Sequence, residues 1–150
     1  MLQFQTLDDI LDFAILQEKA AQKFYTKLSD QADDLNMQLF YRTLAEEEQV
    51  HEKELRKLKN RDSNLPAPDL TQLQKSGYLD ALPIGPDMSI KEVLLYALKK
   101  EKSSRMLYSV LAENMRDEEM AELFKTLAAK EAEHADYFQK EYTVCLKVDS

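Results

Sequence analysis

The sequence predicts an all-α fold: a four-helix bundle built from two pseudo-symmetric helical hairpins joined by a long crossover. Three observations predict it. The first is composition: two glycines, four prolines and no Trp in 150 residues, with Glu, Leu, Lys and Ala abundant, as in long helices. The second is periodicity: apolar residues recur at helical spacing on either side of residues 61–88, a stretch that holds all four prolines and both glycines. The third is repetition: residues 8–51 overlay residues 91–134 without a gap. Leu11, Ala14, Lys19, Tyr25, Leu28, Asp34, Met37, Thr43, Leu44 and Ala45 fall on Leu94, Ala97, Lys102, Tyr108, Leu111, Asp117, Met120, Thr126, Leu127 and Ala128. This is an internal duplication of a roughly fifty-residue unit. Two copies are too few for a solenoid, so two related hairpins that pair face to face are expected.

Each element can be justified in turn. Thr6, with Asp8 and Asp9 behind it, starts a first helix that runs to about residue 32. Leu7, Leu11, Ala14, Ile15, Glu18, Ala21, Tyr25 and Leu28 share one of its faces. Asp33 and Asp34 turn the chain. A second helix over about 34–60 carries Met37, Phe40, Tyr41, Leu44, Glu48, His51, Leu55 and Leu58 inward. Residues 61–88 read as the crossover, with one short helix around Asp69–Lys75. Ser89 and Glu92 form a capping box, in which each side chain satisfies a backbone amide, and open a third helix over about 89–115. Asp117 caps a fourth over about 117–143, and the last residues are expected to fray. Helices of about 27 residues span roughly 40 Å. Short turns join the first to the second and the third to the fourth, and the crossover lets the second and third run parallel.

One hundred and fifty residues make a single domain, 1–150, large enough for one core. A net charge of −8 argues against nucleic acid as a partner, because phosphate binding needs a basic surface. The one cysteine, Cys145, excludes an internal disulfide and a Cys-x-x-Cys iron site, and has no assigned role. The N-terminus shows no basic stretch followed by an apolar run, and no apolar run approaches a membrane span. A cytoplasmic protein with no membrane partner is therefore expected.

Chemistry is carried by two Glu-x-x-His motifs. Glu18 stands 30 residues before Glu48 of Glu48-Gln-Val-His51, and Glu101 stands 30 residues before Glu131 of Glu131-Ala-Glu-His134. These are the only two histidines in the chain. Glu and His at i and i+3 project from one helix face. Four ionised carboxylates in a bundle core without cations are strongly disfavoured by desolvation and mutual repulsion, whereas two divalent ions match their charge. The repeat adds a pseudo-twofold axis. Glu18 and Glu101 become terminal ligands, one to each metal; Glu48 and Glu131 bridge; His51 and His134 each ligate one metal. Mixed carboxylate and imidazole ligation suits iron or manganese, with zinc a competitor. The competing explanation is accident, since Glu-x-x-His arises often in a Glu-rich helix. For both histidines to carry Glu at −3 and −33 by accident has a probability on the order of 10⁻⁴, taking about one Glu in ten residues, which favours the metal.

With Glu18, Glu48-x-x-His51, Glu101 and Glu131-x-x-His134 in place, the chain resembles the ferritin-like di-iron superfamily, and most closely its rubrerythrin-like branch, over residues 6–143. The resemblance implies a ferritin-like four-helix bundle with one crossover. It also implies two iron ions per chain, held by these six residues, that react with hydrogen peroxide or dioxygen, a role linked to oxidative stress. Rubrerythrins usually carry a C-terminal four-cysteine rubredoxin domain; this sequence does not, so electrons are expected from a separate donor such as a rubredoxin-like protein. They also usually carry an extra Glu one turn beyond the third-helix ligand, where Ser104 stands here; the six-ligand set looks more like that of bacterioferritin. Haem is not expected, because Gln49 occupies the place of bacterioferritin's haem-binding Met. About seven residues follow the fourth helix, too few for the fifth helix that closes ferritin shells. A homodimer is expected from the family, with helix exchange open to so long a crossover. The crossover itself, including Tyr78-Leu-Asp-Ala-Leu82, is expected to cover a helix face or form a dimer contact.

Smaller signals complete the reading. Tyr25 and Tyr108 lie two turns beyond Glu18 and Glu101 on the same face. Each hydroxyl either hydrogen-bonds and orients a ligand carboxylate or belongs to an ordinary core residue that needs some partner. Glu46, Glu47, Glu52 and Glu54 read as a solvated acidic face around His51, and Met37 and Met120 as core packing. The leading function is a di-iron oxidoreductase that reduces hydrogen peroxide or dioxygen with electrons from an external donor. The alternatives are a ferroxidase or iron-handling protein, and a non-redox bundle holding zinc or nothing.

Overall fold

The structure is a computed structural model that describes residues 3–61, 65–80 and 88–148. Its described residues form five helices: α1 (Leu7–Gln31), α2 (Leu35–Leu58), α3 (Thr71–Lys75), α4 (Ile90–Asn114) and α5 (Glu118–Val148). They fall into two compact units, Gln3–Ala67 and the residues from Pro68 onward, each built around one antiparallel pair of long helices.

In the first unit, Thr6 caps α1. Its hydroxyl accepts from the Asp9 amide at 3.2 Å, and the Asp9 carboxylate accepts in return from the amides of Thr6 and Gln5. The apolar stripe of α1 is buried through Leu7, Ile10, Leu11, Ala14, Ile15, Ala21, Phe24 and Tyr25, and α2 contributes Leu44, Leu55 and Leu58. Side chains fasten the hairpin at both ends. At the turn, the Ser29 hydroxyl donates to the Gln38 carbonyl at 2.8 Å and the Gln38 amide to the Ala32 carbonyl at 2.7 Å. At the far end, Lys59 pairs with Asp12 at 2.7 Å and the Asn60 amide donates to Asp8. Asn60 takes the left-handed conformation, φ 68°, that stops α2. A short antiparallel bridge between Thr6 and Pro66, with Leu7 N–H on the Leu65 carbonyl and Ala67 N–H on that of Gln5, returns the chain to the start of α1.

In the second unit, Asp69 opens α3 by accepting from the amide and hydroxyl of Thr71. Gly77, at φ 79°, supplies the left-handed turn after it. Leu70, Leu73 and Leu79 are buried, and Ser103 on α4 donates its hydroxyl to the Tyr78 carbonyl. This part of the crossover therefore lies against α4. Residues 62–64 and 81–87 of the expected crossover, including Ala81 and Leu82, lie outside the described residues. The α4 helix is buried on more of its circumference than α1. Besides Leu94, Ala97 and Glu101 it buries Tyr96, Leu98 and Lys100, and the Lys100 ammonium sits 5.9 Å over the Tyr96 ring. Burial pushes the Tyr96 hydroxyl above its usual pKa. The Ser89–Glu92 capping box forms as the sequence predicts, at 3.1 and 3.3 Å, and Asp117 accepts from the Met120 amide at the start of α5.

Two expectations need correction. The last helix does not fray after about residue 143 but continues to Val148. Glu118–Val148 contains neither Gly nor Pro, so nothing stops it, although Tyr142, Thr143 and Val144 have poor helix propensity. Met37 and Met120 are also not equivalent: Met120 is buried, whereas Met37, near the start of α2, is half-exposed beside the exposed Leu35 and Leu39.

Candidate metal centre

Each hairpin gathers three of the six expected ligands by the same local logic. In the first unit, Glu18 lies mid-way along the buried stripe of α1, while Glu48 and His51 are one turn apart on the buried face of α2. Antiparallel packing brings these levels together. His51 Nδ1 stands 3.7 Å from Glu18 Oε2 and 3.6 Å from Glu48 Oε1. In the second unit, His134 Nδ1 stands 3.3 Å from Glu101 Oε2 and 3.8 Å from Glu131 Oε2. In both sets Nδ1 is the ring nitrogen near the carboxylates. One ligand atom from each of Glu18, Glu48 and His51 lies within 4.8 Å of the others, and the same holds for Glu101, Glu131 and His134.

All six side chains are buried: the four carboxylates are at most 1 % exposed, and His51 and His134 are 6 and 5 % exposed. Burial to this depth is costly for an ionised carboxylate unless strong partners compensate. Two donors bound to one divalent ion at roughly 2.1 Å sit no more than about 4.2 Å apart. The spread within each set is close enough for small side-chain rotations to close it. The residues present therefore fit a metal: mixed oxygen and nitrogen donors, dry surroundings and converging atoms.

The tyrosines two turns beyond Glu18 and Glu101 are also buried, and the repeat extends to their neighbours. Tyr25 stacks on Tyr41 across α1 and α2 at 6.5 Å and 11°, and Tyr108 stacks on Phe124 across α4 and α5 at 6.3 Å and 18°. Each stack holds its buried ring in place.

One neighbour of the candidate ligands escaped the sequence reading. Glu52 does not belong to a freely solvated acidic face. Its carboxylate accepts from the Gln22 side-chain amide of α1 at 2.8 Å and from Arg56 Nε of α2 at 2.7 Å. The Gln22 hydrogen bond, opposed by partial desolvation and aided by Arg56 and Lys19, holds the carboxyl below its usual pKa. The Glu52–Arg56 half of this network was visible as an i, i+4 pair. The Gln22 half depends on which residues face each other across the hairpin.

The model of the rubrerythrin family matches residues 9–76 and 92–146, most of the chain and all six candidate ligands. The chain belongs to the rubrerythrin family. This rubrerythrin-family chain is also similar to two solved structures. A hypothetical protein from Pyrococcus furiosus is 26 % identical, with a TM-score of 0.70 over 95 % of this chain and 91 % of that one. A Thermotoga maritima protein described as a candidate ferritin-like diiron-carboxylate protein is 22 % identical, with a TM-score of 0.74 over 95 % of this chain and 98 % of that one. The second likeness shows the fold: a ferritin-like helical bundle whose two helix pairs, α1 with α2 and α4 with α5, are joined by a linker. No curated protein matches the rubrerythrin-family sequence. Among its described residues, no helix is long and apolar enough to cross a membrane.

Proposed function

We propose that the two ligand sets act together as one non-haem di-iron centre that reduces hydrogen peroxide or dioxygen with electrons from an external donor. The observation that carries this reading is the pair of repeat-related, buried Glu/Glu/His sets in a chain of the rubrerythrin family. Glu18 and His51 would hold one ion, Glu101 and His134 the other, and Glu48 and Glu131 would be shared. When bound, two ferrous ions would supply the two electrons needed to reduce one peroxide, with uptake of two protons, to two waters, and the external donor would return two electrons.

The chain's own residues set the conditions. Four carboxylates match the charge of two divalent ions and stabilise the higher charge after oxidation. Burial keeps bulk water away from the centre. Tyr25 and Tyr108, fixed by their ring stacks, hold the ligand carboxylates in orientation through their hydroxyls. In this reading the electrons come from a separate donor, such as a rubredoxin-like protein.

Ser104 favours a second reading. Where rubrerythrins usually place an additional carboxylate, this hydroxyl adds no charge to the site, and the remaining six ligands suit a ferroxidase that oxidises Fe(II) and passes it on. One experiment separates the readings. The protein is loaded anaerobically with two Fe(II) per chain and mixed in stopped flow with peroxide or with dioxygen. Faster oxidation by peroxide, with iron retained over repeated cycles, supports the peroxidase. Faster oxidation by dioxygen with iron released on turnover supports the ferroxidase. A chain that does not hold two irons sinks both.

A further inference from the structure

The repeat makes the two ligand sets alike, so the places where it fails beside them are informative. Gln22, Glu52 and Arg56 correspond, 83 residues on, to Arg105, Ala135 and Gln139. In the first hairpin these residues make a clasp. Glu52 follows His51 directly, and Gln22 lies one turn beyond Glu18. The 2.8 Å bond from Gln22 to Glu52 thus ties α1 to α2 at the level of the ligands. Arg56, at 2.7 Å, fixes the other carboxylate oxygen. The Glu52 side chain is 15 % exposed, so its end of the clasp is shielded from water, while the Arg56 side chain is 47 % exposed.

Among the described residues, the equivalent positions of the second hairpin make no such clasp. Ala135 is buried and has no polar atom on its side chain, and Arg105 is exposed. Besides the contact between the ligands themselves, His134 Nδ1 to Glu101 Oε2 at 3.3 Å, a side-chain hydrogen bond joins α4 to α5 nearby, from Lys102 to Gln139, 3.5 Å long between exposed groups. A bond of that length and exposure constrains little. The first hairpin therefore adds to its ligands' own contacts a charge-assisted tie that Arg105, Ala135 and Gln139 do not reproduce in the second. Preorganised ligands bind a metal more tightly, because less ordering remains to be done on binding.

We propose that Glu52 is a positioning residue for the Glu18/Glu48/His51 set, and that this set takes up the first metal ion while Glu101/Glu131/His134 takes up the second, more weakly. The proposal rests on the reading of these six residues as metal ligands. Its chemistry is a sequential, unequal loading of two divalent ions onto a centre whose ligands repeat.

The test is an anaerobic titration of the chain with Co(II), followed through its visible ligand-field bands and by calorimetry. Two steps are expected, the first about 10-fold tighter than the second. His51→Ala should remove the tight step and His134→Ala the weak one. Glu52→Ala should weaken the first step about 10-fold and leave the second within about twofold. Glu52→Gln keeps an oxygen that accepts from Gln22 and should recover most of the lost affinity. General loosening of the fold would instead weaken both steps together and would not be rescued. Two equal steps, a tight step lost in His134→Ala, or a Glu52→Ala chain that loads like the parent would each overturn the proposal while leaving the metal reading intact. No Co(II) uptake by the parent chain would overturn both.

Discussion

Nδ1 of His134 on α5 stands 3.3 Å from Oε2 of Glu101 on α4, although the two residues are 33 positions apart in the chain. One repeat earlier, His51 and Glu18 set the same two atoms 3.7 Å apart. The contact is a property of the hairpin: a Glu at mid-helix and a His at the matching level of the returning helix must meet if the turn keeps its length. The repeat keeps it, with Asp34 and Asp117 each capping the returning helix by accepting from one of its first backbone amides. A metal ion is the partner that both groups can satisfy at once.

Metal binding to groups this deeply buried is coupled to folding. An ion present at 100 times its Kd stabilises the native state by about 2.7 kcal/mol. For a chain of this size about 1 kcal/mol moves Tm by roughly 2–4 °C. Stripping two ions with a chelator should lower Tm by roughly 10–20 °C. Scanning calorimetry of the loaded and chelated protein checks this, and coincident melts would contradict metal binding at these sites.

Glu131 is fully buried, so its two roles should separate under mutation. In the metal-free protein the carboxylate carries a desolvation cost. Glu131→Gln should leave the unfolding free energy unchanged or raise it by about 1 kcal/mol. In the presence of Fe(II) without oxygen, the same variant should lose most of the metal-induced gain in Tm. Glu48→Gln, its repeat partner, should behave alike. A variant destabilised equally with and without metal would show a structural role instead.

Tyr108 supplies both a ring and a hydroxyl, and two substitutions distinguish them. The ring is buried against Phe124. Tyr108→Ala should cost about 3–5 kcal/mol through the cavity it leaves, read from urea unfolding of the metal-free chain. Tyr108→Phe keeps the stack and should cost about 1 kcal/mol. If its hydroxyl orients a ligand, Tyr108→Phe should also weaken metal binding by several-fold while the fold stays intact. Unchanged metal affinity in Tyr108→Phe would restrict Tyr108 to packing.

What could be read in advance was what depends on spacing along one helix. Glu48 and His51 at i and i+3, the Ser89–Glu92 box and the 83-residue offset are such patterns, and each has its counterpart in the structure. What depends on the lateral register of two helices was hidden. Glu52 looked like one more surface carboxylate because its partner Gln22 is 30 residues away and carries no charge to announce the pairing. The end of α5 was hidden for a different reason. The β-branched residues Thr143 and Val144 suggest a stop, but propensity is a weak prior when no Gly or Pro follows within the helix. The crossover's contact with α4 through Ser103 and the Tyr78 carbonyl had no sequence signal, since a backbone acceptor leaves no trace in residue type.

The capping box at the start of α1 makes a prediction about acid. The amide of Gln5, and after it that of Thr6, donates to the Asp9 carboxylate and holds its pKa below the usual range. A carboxyl whose folded pKa is depressed binds fewer protons in the native state than in the unfolded one. Its contribution to stability is therefore complete above the unfolded value, about pH 4, and is lost as pH falls through the lower folded value. Asp9→Asn removes the charge but leaves an acceptor of similar shape. The variant should be less stable than the parent at neutral pH. The gap between the two should hold steady down to about pH 5 and close as the pH is lowered further below about 4. Parallel urea titrations across that range measure the gap directly. A gap that stays constant into the acid range would show that Asp9 acts through shape alone, and that its charge contributes nothing to the start of α1.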